Sequence, residues 1–339
     1  MRIFKIILII FIVSVIYFFV FDVSYTCTLF KNKLGCYDGN LEMRLDWLGV
    51  DNSRSHLKKL YDDGFLTQGQ CHTLGHKIGQ NAARSGLGMT EAMEENGSFC
   101  GWAFFHGVME GLFGEDAGHG RISVEEAHKI CEEAEYKNDV ERFNCFHALG
   151  HGFYALDRDL ENSLDHCDIA SEDYKKGFCY DGVFMAMTFP KEGPRRMELR
   201  SDLNNGGQTS ICNELAGLRQ LYCYWRLVPI TVFIEELELP PLEHILGILE
   251  KIPDNYKSTF WNGFGRELDS RFASDSRVIE NGCQWGFGQN LSCIKGAAMH
   301  MIFYDRDNRD RAVELCRDVL RGEDQAQCVD DVKKSYPGI

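Results

Sequence analysis

The chain has 339 residues, of which 44% are hydrophobic, and a formal net charge of −15. That length and apolar content suffice for one large packed domain or two. Nucleic-acid binding is excluded, because it rests on clustered Lys and Arg facing phosphate and no such cluster occurs. The acidic excess is spread along the chain and serves solubility.

The chain opens with basic Arg2 and Lys5, followed by the uncharged apolar run from Ile6 to Phe21. With Ile3 and Phe4 included and Lys5 snorkelling, the run reaches the roughly 20 residues a bilayer-spanning helix needs. The exit, Val20-Phe21-Asp22-Val23-Ser24-Tyr25-Thr26, has no small-residue pair of the kind signal peptidase cleaves. Residues 1–21 are therefore expected to be an uncleaved signal anchor and the protein a single-pass membrane protein. The positive N-terminal flank places the main domain on the extracytoplasmic side. Residues 22–66 read as a juxtamembrane segment and 67–339 as the extracytoplasmic domain.

Fourteen cysteines follow the anchor, and none forms a C-x-x-C pair. That spacing disfavours zinc ribbons, iron–sulfur clusters, thioredoxin-type redox and c-type haem attachment. An even count in an exported protein favours disulfides. Nearest-neighbour pairing is expected: Cys27–Cys36, Cys71–Cys100, Cys131–Cys145, Cys167–Cys179, Cys212–Cys223, Cys283–Cys293 and Cys316–Cys328. Five of these gaps fall between ten and fourteen residues, as a repeat would produce.

From about residue 67 a unit recurs. A polar helix ends near one cysteine, and an apolar helix rich in glycine and aromatics carries the next. Ser123-Val124-Glu125-Glu126 opens one polar helix with a capping-box pattern. Its apolar partner begins near Glu141, and further pairs follow to Asp324–Lys334. Recurrence every 30 to 45 residues is the range of helical-hairpin repeats, whose apolar faces must stack on neighbours. The only β-like run, Val228 to Leu237, is interrupted by Pro229, which is expected to close the helix before it. The fold class is all-α: tandem helical hairpins stapled by disulfides, as an α/α toroid or a superhelix.

Two near-copies, His72-Thr73-Leu74-Gly75-His76 and His147-Ala148-Leu149-Gly150-His151, stand out. Residues four apart share a helix face, so each stretch aims two imidazoles at one point. Offsetting by the Cys100-to-Cys145 interval places His106 on His151, with Glu110 one turn further along. Burying several imidazoles without partners is costly, and a metal satisfies them together. His72, His76, His106, His147 and His151 are the expected metal ligands, with His106 and Glu110 also the catalytic candidates. With the cysteines bonded, imidazole and carboxylate ligands suit Zn, Cu or Fe. Neither stretch has the Glu of H-E-x-x-H, and the only Glu-x-x-His spacing, Glu125 to His128, lies on an outer acidic helix.

Competing readings start from other residues. Trp102, Trp225, Trp261 and Trp285 on inner helices suit a sugar-lined cavity, and Glu110, Asp181 and Glu267 would serve a metal-free toroid hydrolase. An open superhelix without catalysis would bind proteins. His56, His128, His166 and His244 are expected at the surface, and His300 inside. The expected partners are the membrane, through the anchor, and a small-molecule or protein ligand.

Overall fold

Local chemistry starts several of the helices. Thr67 caps one through a reciprocal box: Gln70 N–H donates to its hydroxyl at 3.3 Å, and its own N–H donates to Oε1 of Gln70 at 3.0 Å. Ser123 accepts from Glu126 N–H at 3.1 Å, Asp159 from Asn162 N–H at 2.9 Å, and Asp275 from Arg277 N–H at 3.1 Å. The computed structural model describes residues 27–28, 33–94, 99–114, 122–136, 139–188, 208–233, 239–272, 275–286, 288–304 and 308–334. Among these residues the chain is helical with no strand. No described helix is long and apolar enough to cross a membrane, and the expected anchor lies outside the described residues.

The chain divides into two units between Leu112 and Phe113. In the first, α1 (Lys33–Asp62) kinks at Gly49, whose φ of 79° and ψ of −178° interrupt the helix. It packs on α2 (Gln68–Arg84) and buries Tyr37, Leu41, Leu57 and Leu60, and Lys77 of α2 donates at 2.6 Å to both Asp38 and Glu42. The short α3 (Met89–Glu94) and α4 (Ala103–Phe113) follow.

The second unit begins with α5 (Val124–Glu133), α6 (Asp139–Asp157), α7 (Leu160–Cys167) and α8 (Asp173–Thr188). Next come α9 (Gln208–Glu214), α10 (Gly217–Tyr222) and α11 (Val228–Val232), the last two joined by a π turn over Cys223–Leu227. The unit ends with α12 (Leu242–Leu249), α13 (Asp254–Phe272), α14 (Ser276–Gln284), α15 (Asn290–Tyr304), α16 (Arg309–Val319) and α17 (Gly322–Lys334).

Pro229 does not close its helix as expected. In an α-helix its missing N–H would have bonded the Trp225 carbonyl. The π turn absorbs the irregularity, with Val228 N–H donating to Cys223 O, and the backbone of Gly263 comes up against the Trp225 carbonyl instead.

All fourteen cysteines pair as nearest neighbours, with Cα–Cα distances of 5.3 to 5.8 Å. In the second unit these bonds tie a polar helix to the apolar element after it: α5 to α6, α7 to α8, α9 to the π turn, α14 to α15. The last joins α16 to α17. In the first unit Cys71 of α2 reaches Cys100, ahead of α4.

One crossing recurs three times. A Cβ on Gly79 of α2 would collide with the Phe104 carbonyl, and one on Gly107 of α4 with the His76 carbonyl. In α6 and α8, Gly150 meets the Cys179 carbonyl and Gly182 the His147 carbonyl. In α13 and α15, Gly265 meets the Cys293 carbonyl and Gly296 the Asn262 carbonyl. Each pair thus presses backbone on backbone, which only glycine permits. Gly265→Ala is expected to destabilise by more than about 2 kcal/mol, since neither partner is a flexible side-chain end. Gly247→Ala, with open space around its Cβ, should be neutral or stabilising by up to about 1 kcal/mol. Urea denaturation of the oxidised protein compares the two.

Candidate metal centre

The crossing of α2 and α4 sets the site of the first unit. Gly79 and Gly107 bring the helices together, so His76 lies beside His106 and Glu110. His72 sits one turn before His76 on the same face. Ahead of α4, Cys100, Gly101 and Trp102 all adopt left-handed backbone, with φ of 52°, 63° and 64°. For the two non-glycine residues that conformation costs roughly 1–2 kcal/mol each. It turns the Cys100 carbonyl toward α2, where Nδ1 of His72 donates to it at 2.8 Å.

The hydrogen bonds dictate which ring nitrogens carry protons. A carbonyl only accepts, so His72 bears hydrogen on Nδ1 and a lone pair on Nε2. Nδ1 of His76 lies 3.1 Å from Oε1 of Glu110, whose Oε2 accepts from Gln80 Nε2 at 2.6 Å. His76 therefore also presents Nε2 outward from its partner. The two Nε2 atoms face each other at 3.1 Å. His106 joins them, with ring centroids 5.4 Å from His72 and 5.6 Å from His76. One ligating atom from each of the three rings lies within 4.8 Å of the others. All are buried, at 6%, 7% and 1% exposure for His72, His76 and His106, and Glu110 is at 8%.

The spacing fits a metal. Two nitrogens each about 2.0–2.1 Å from one ion lie about 3.3 Å apart at a tetrahedral angle and about 2.9 Å apart at a right angle. The carboxylate behind His76 and the carbonyl behind His72 are the outer partners that fix tautomer and orientation in metal-binding histidines.

The expected ligands are divided between the units: His72, His76 and His106 in the first, His147 and His151 in the second. In the second unit Nε2 of His147 and Nε2 of His151 lie 3.2 Å apart on α6. Burial lowers the His147 pKa to about 3 against the pull of Asp181, whose Oδ2 lies 2.8 Å from His147 Nδ1.

The near-copies are not equivalent in the structure. Measured from the crossing, His76 corresponds to His147, because the partner glycine touches the carbonyl of each. His72 therefore has no counterpart in the second histidine pair, and His106, preceding Gly107, corresponds to Asp181 rather than to His151. Alignment on cysteines misleads because Cys100 lies outside its helix, four residues before Phe104, the counterpart of Cys179. The third crossing has Asn262 in the place of His76 and Lys295 in that of His106. The fold thus makes this crossing without histidine, so packing does not account for the imidazoles.

The carboxylates proposed for a metal-free hydrolase are already engaged. Arg266 forks onto Asp181 at 3.0 and 3.4 Å, and Arg226 Nε lies 3.2 Å from it. These guanidinium groups hold the Asp181 carboxyl well below its usual range despite complete burial, the reverse of what a general acid needs. Glu267 accepts from Arg226 at 2.8 Å. Of the tryptophans, Trp261 is buried against Phe260 and Phe264. Trp225 carries Arg266 at 4.6 Å from its ring and lines a groove of about 500 Å³ with Tyr222, Asn262 and Lys295. None of the expected ligands lines that groove.

Sequence reading passed over Gln80, Arg226 and Asp269. His300 is buried as expected and lies 2.7 Å from Asp269 through Nδ1. His128 is not at the surface: it is 3% exposed and donates through Nε2 to the His166 carbonyl at 2.8 Å. Acidic neighbours on α5 masked a face that packs on Phe146 and Phe153.

No protein-family model, curated protein or solved structure matches the chain.

Burial lowers the His128 pKa below 6.5, so the unfolded chain takes up the proton first. Stability present above pH 6.5 is then lost as pH falls, by up to about 2 kcal/mol at pH 5 from this residue. His128→Gln is expected to flatten that part of the stability–pH curve in metal-free protein, read by urea titration at each pH.

Proposed function

We propose that the chain is a metalloprotein that holds a divalent transition ion, Zn, Cu or Fe, through His72, His76 and His106. The observation that carries this reading is the pair of Nε2 atoms facing each other at 3.1 Å while both Nδ1 atoms are committed to acceptors. Three imidazoles leave a coordination position for water or substrate, as catalytic centres do and closed structural sites do not. The proposed activity is accordingly metal-dependent, with the ion as Lewis acid or redox centre in a hydrolase or oxidoreductase.

Within that reading Glu110 orients His76 and is not the base, since both of its oxygens are engaged by His76 and Gln80. His106 is the third ligand. The paired cysteines support an oxidising, extracytoplasmic compartment and leave no thiolate to compete for the ion. Anchoring through residues 1–21 belongs to the same proposal, resting on the apolar run and its basic flank.

Full-length protein prepared without a metal-binding tag should retain Zn, Cu or Fe on elemental analysis, and H72A/H76A should lose the ion these histidines hold. Glu110→Gln should weaken that ion about 10- to 100-fold, measured by competition with a chelator. Protein that is folded by circular dichroism and takes up none of the three ions would overturn the metal reading.

A further inference from the structure

The second unit carries a converging pair of its own. His147 and His151 are 2% and 0% exposed, with their Nε2 atoms 3.2 Å apart. The Gly150–Gly182 crossing brings Asp181 of α8 to His147, with Oδ2 2.8 Å from Nδ1. Asp181 is fully buried, and Arg266 and Arg226 hold it ionised and in place. Arg226 is itself held by Glu267 at 2.8 Å. An ionised carboxylate only accepts, so the His147 hydrogen sits on Nδ1 and its Nε2 lone pair points at His151. This is the carboxylate–histidine arrangement that raises the basicity of a metal ligand.

Packing does not demand it. The α13–α15 crossing puts Asn262 where His147 stands and Lys295 where Asp181 stands, with the same backbone contact. Nor does the buried ion network need the histidine as a cation, because Arg226, Arg266 and Arg271 already face Asp181 and Glu267.

We propose that His147 and His151 hold a divalent transition ion of their own, with Asp181 as the positioning residue. The proposal extends the metal reading of the first unit but stands on residues of the second alone. Two imidazoles bind less tightly than three, so this ion should be the first to leave.

The test is equilibrium loading of full-length protein with Co²⁺ or Zn²⁺ alone, counting ions per chain and following their release to a chelator. Two ions are expected in the wild type, released in two steps. H147A/H151A should remove the weaker step and keep the tighter one, and H72A/H76A should do the reverse. His151→Gln, close in size, covers the case in which the double variant does not fold. Asp181→Asn should weaken only the second ion, by about 10- to 100-fold.

A single wild-type ion that folded H147A/H151A protein keeps, or that H72A/H76A also loses, or two ions retained in folded H147A/H151A or His151→Gln protein, would overturn an ion held by this pair. If that single ion is lost from H72A/H76A and kept by H147A/H151A, the reading of the first unit still holds. Loss of the single ion only from H147A/H151A would instead sink the first and leave this pair as the centre. No bound ion in the wild type would remove both.

Discussion

Backbone contact between paired helices is the constraint on which the rest depends. At three crossings, two glycines three residues after a reference position let carbonyls and Cα atoms meet where any side chain would collide. Mid-helix glycine weakens a helix by up to about 1 kcal/mol each. The close approach recovers this through dispersion and Cα–H···O contacts, and it fixes the register of one helix on its partner. Register decides which side chains meet. His76 meets Glu110, and His147 meets Asp181, because the glycines leave no freedom to slide by a turn.

Much of this was legible beforehand. Residues four apart on a helix must share a face, so the convergence of His72 with His76, and of His147 with His151, follows from spacing alone. Disulfides between neighbouring helices also follow from spacing, because short connections keep consecutive helices adjacent. What spacing does not encode is the register between helices. The two H-x-L-G-H stretches look alike, yet the crossing glycine is Gly79, one turn beyond the first stretch, and Gly150 inside the second. Nothing local distinguishes a glycine that touches a neighbouring backbone from one that merely lies near it. Gly75, for example, sits against the Ala103 side chain instead.

Charge burial was legible only in part. Arg226, Arg266 and Asp181 lie on three different helical elements, and nothing in their spacing along the chain shows that those elements meet. A buried ionic cluster of this kind is no evidence of stability, since apolar replacements of equal volume are often as good or better. Its retention is better understood through position. A carboxylate gripped from two sides cannot rotate, and the imidazole it supports is held with it. In the first unit a lighter version serves, with Gln80 in place of the arginines and a strained left-handed segment presenting one carbonyl.

A shared proton is the plainest rival to a metal between His72 and His76. One proton would let His76 donate through both nitrogens, to Glu110 and to His72, and the charge would be balanced by the carboxylate. That arrangement needs two imidazoles and nothing more. It gives no reason for His106, 1% exposed and in contact with both rings, to be an imidazole. Nor does it explain a three-residue left-handed segment that costs conformational energy to fix one tautomer. Each of these features has a role if the occupant has several coordination positions and a preference for neutral nitrogen donors. The chain invests most heavily where a proton would need least, and that asymmetry is what weighs toward the ion.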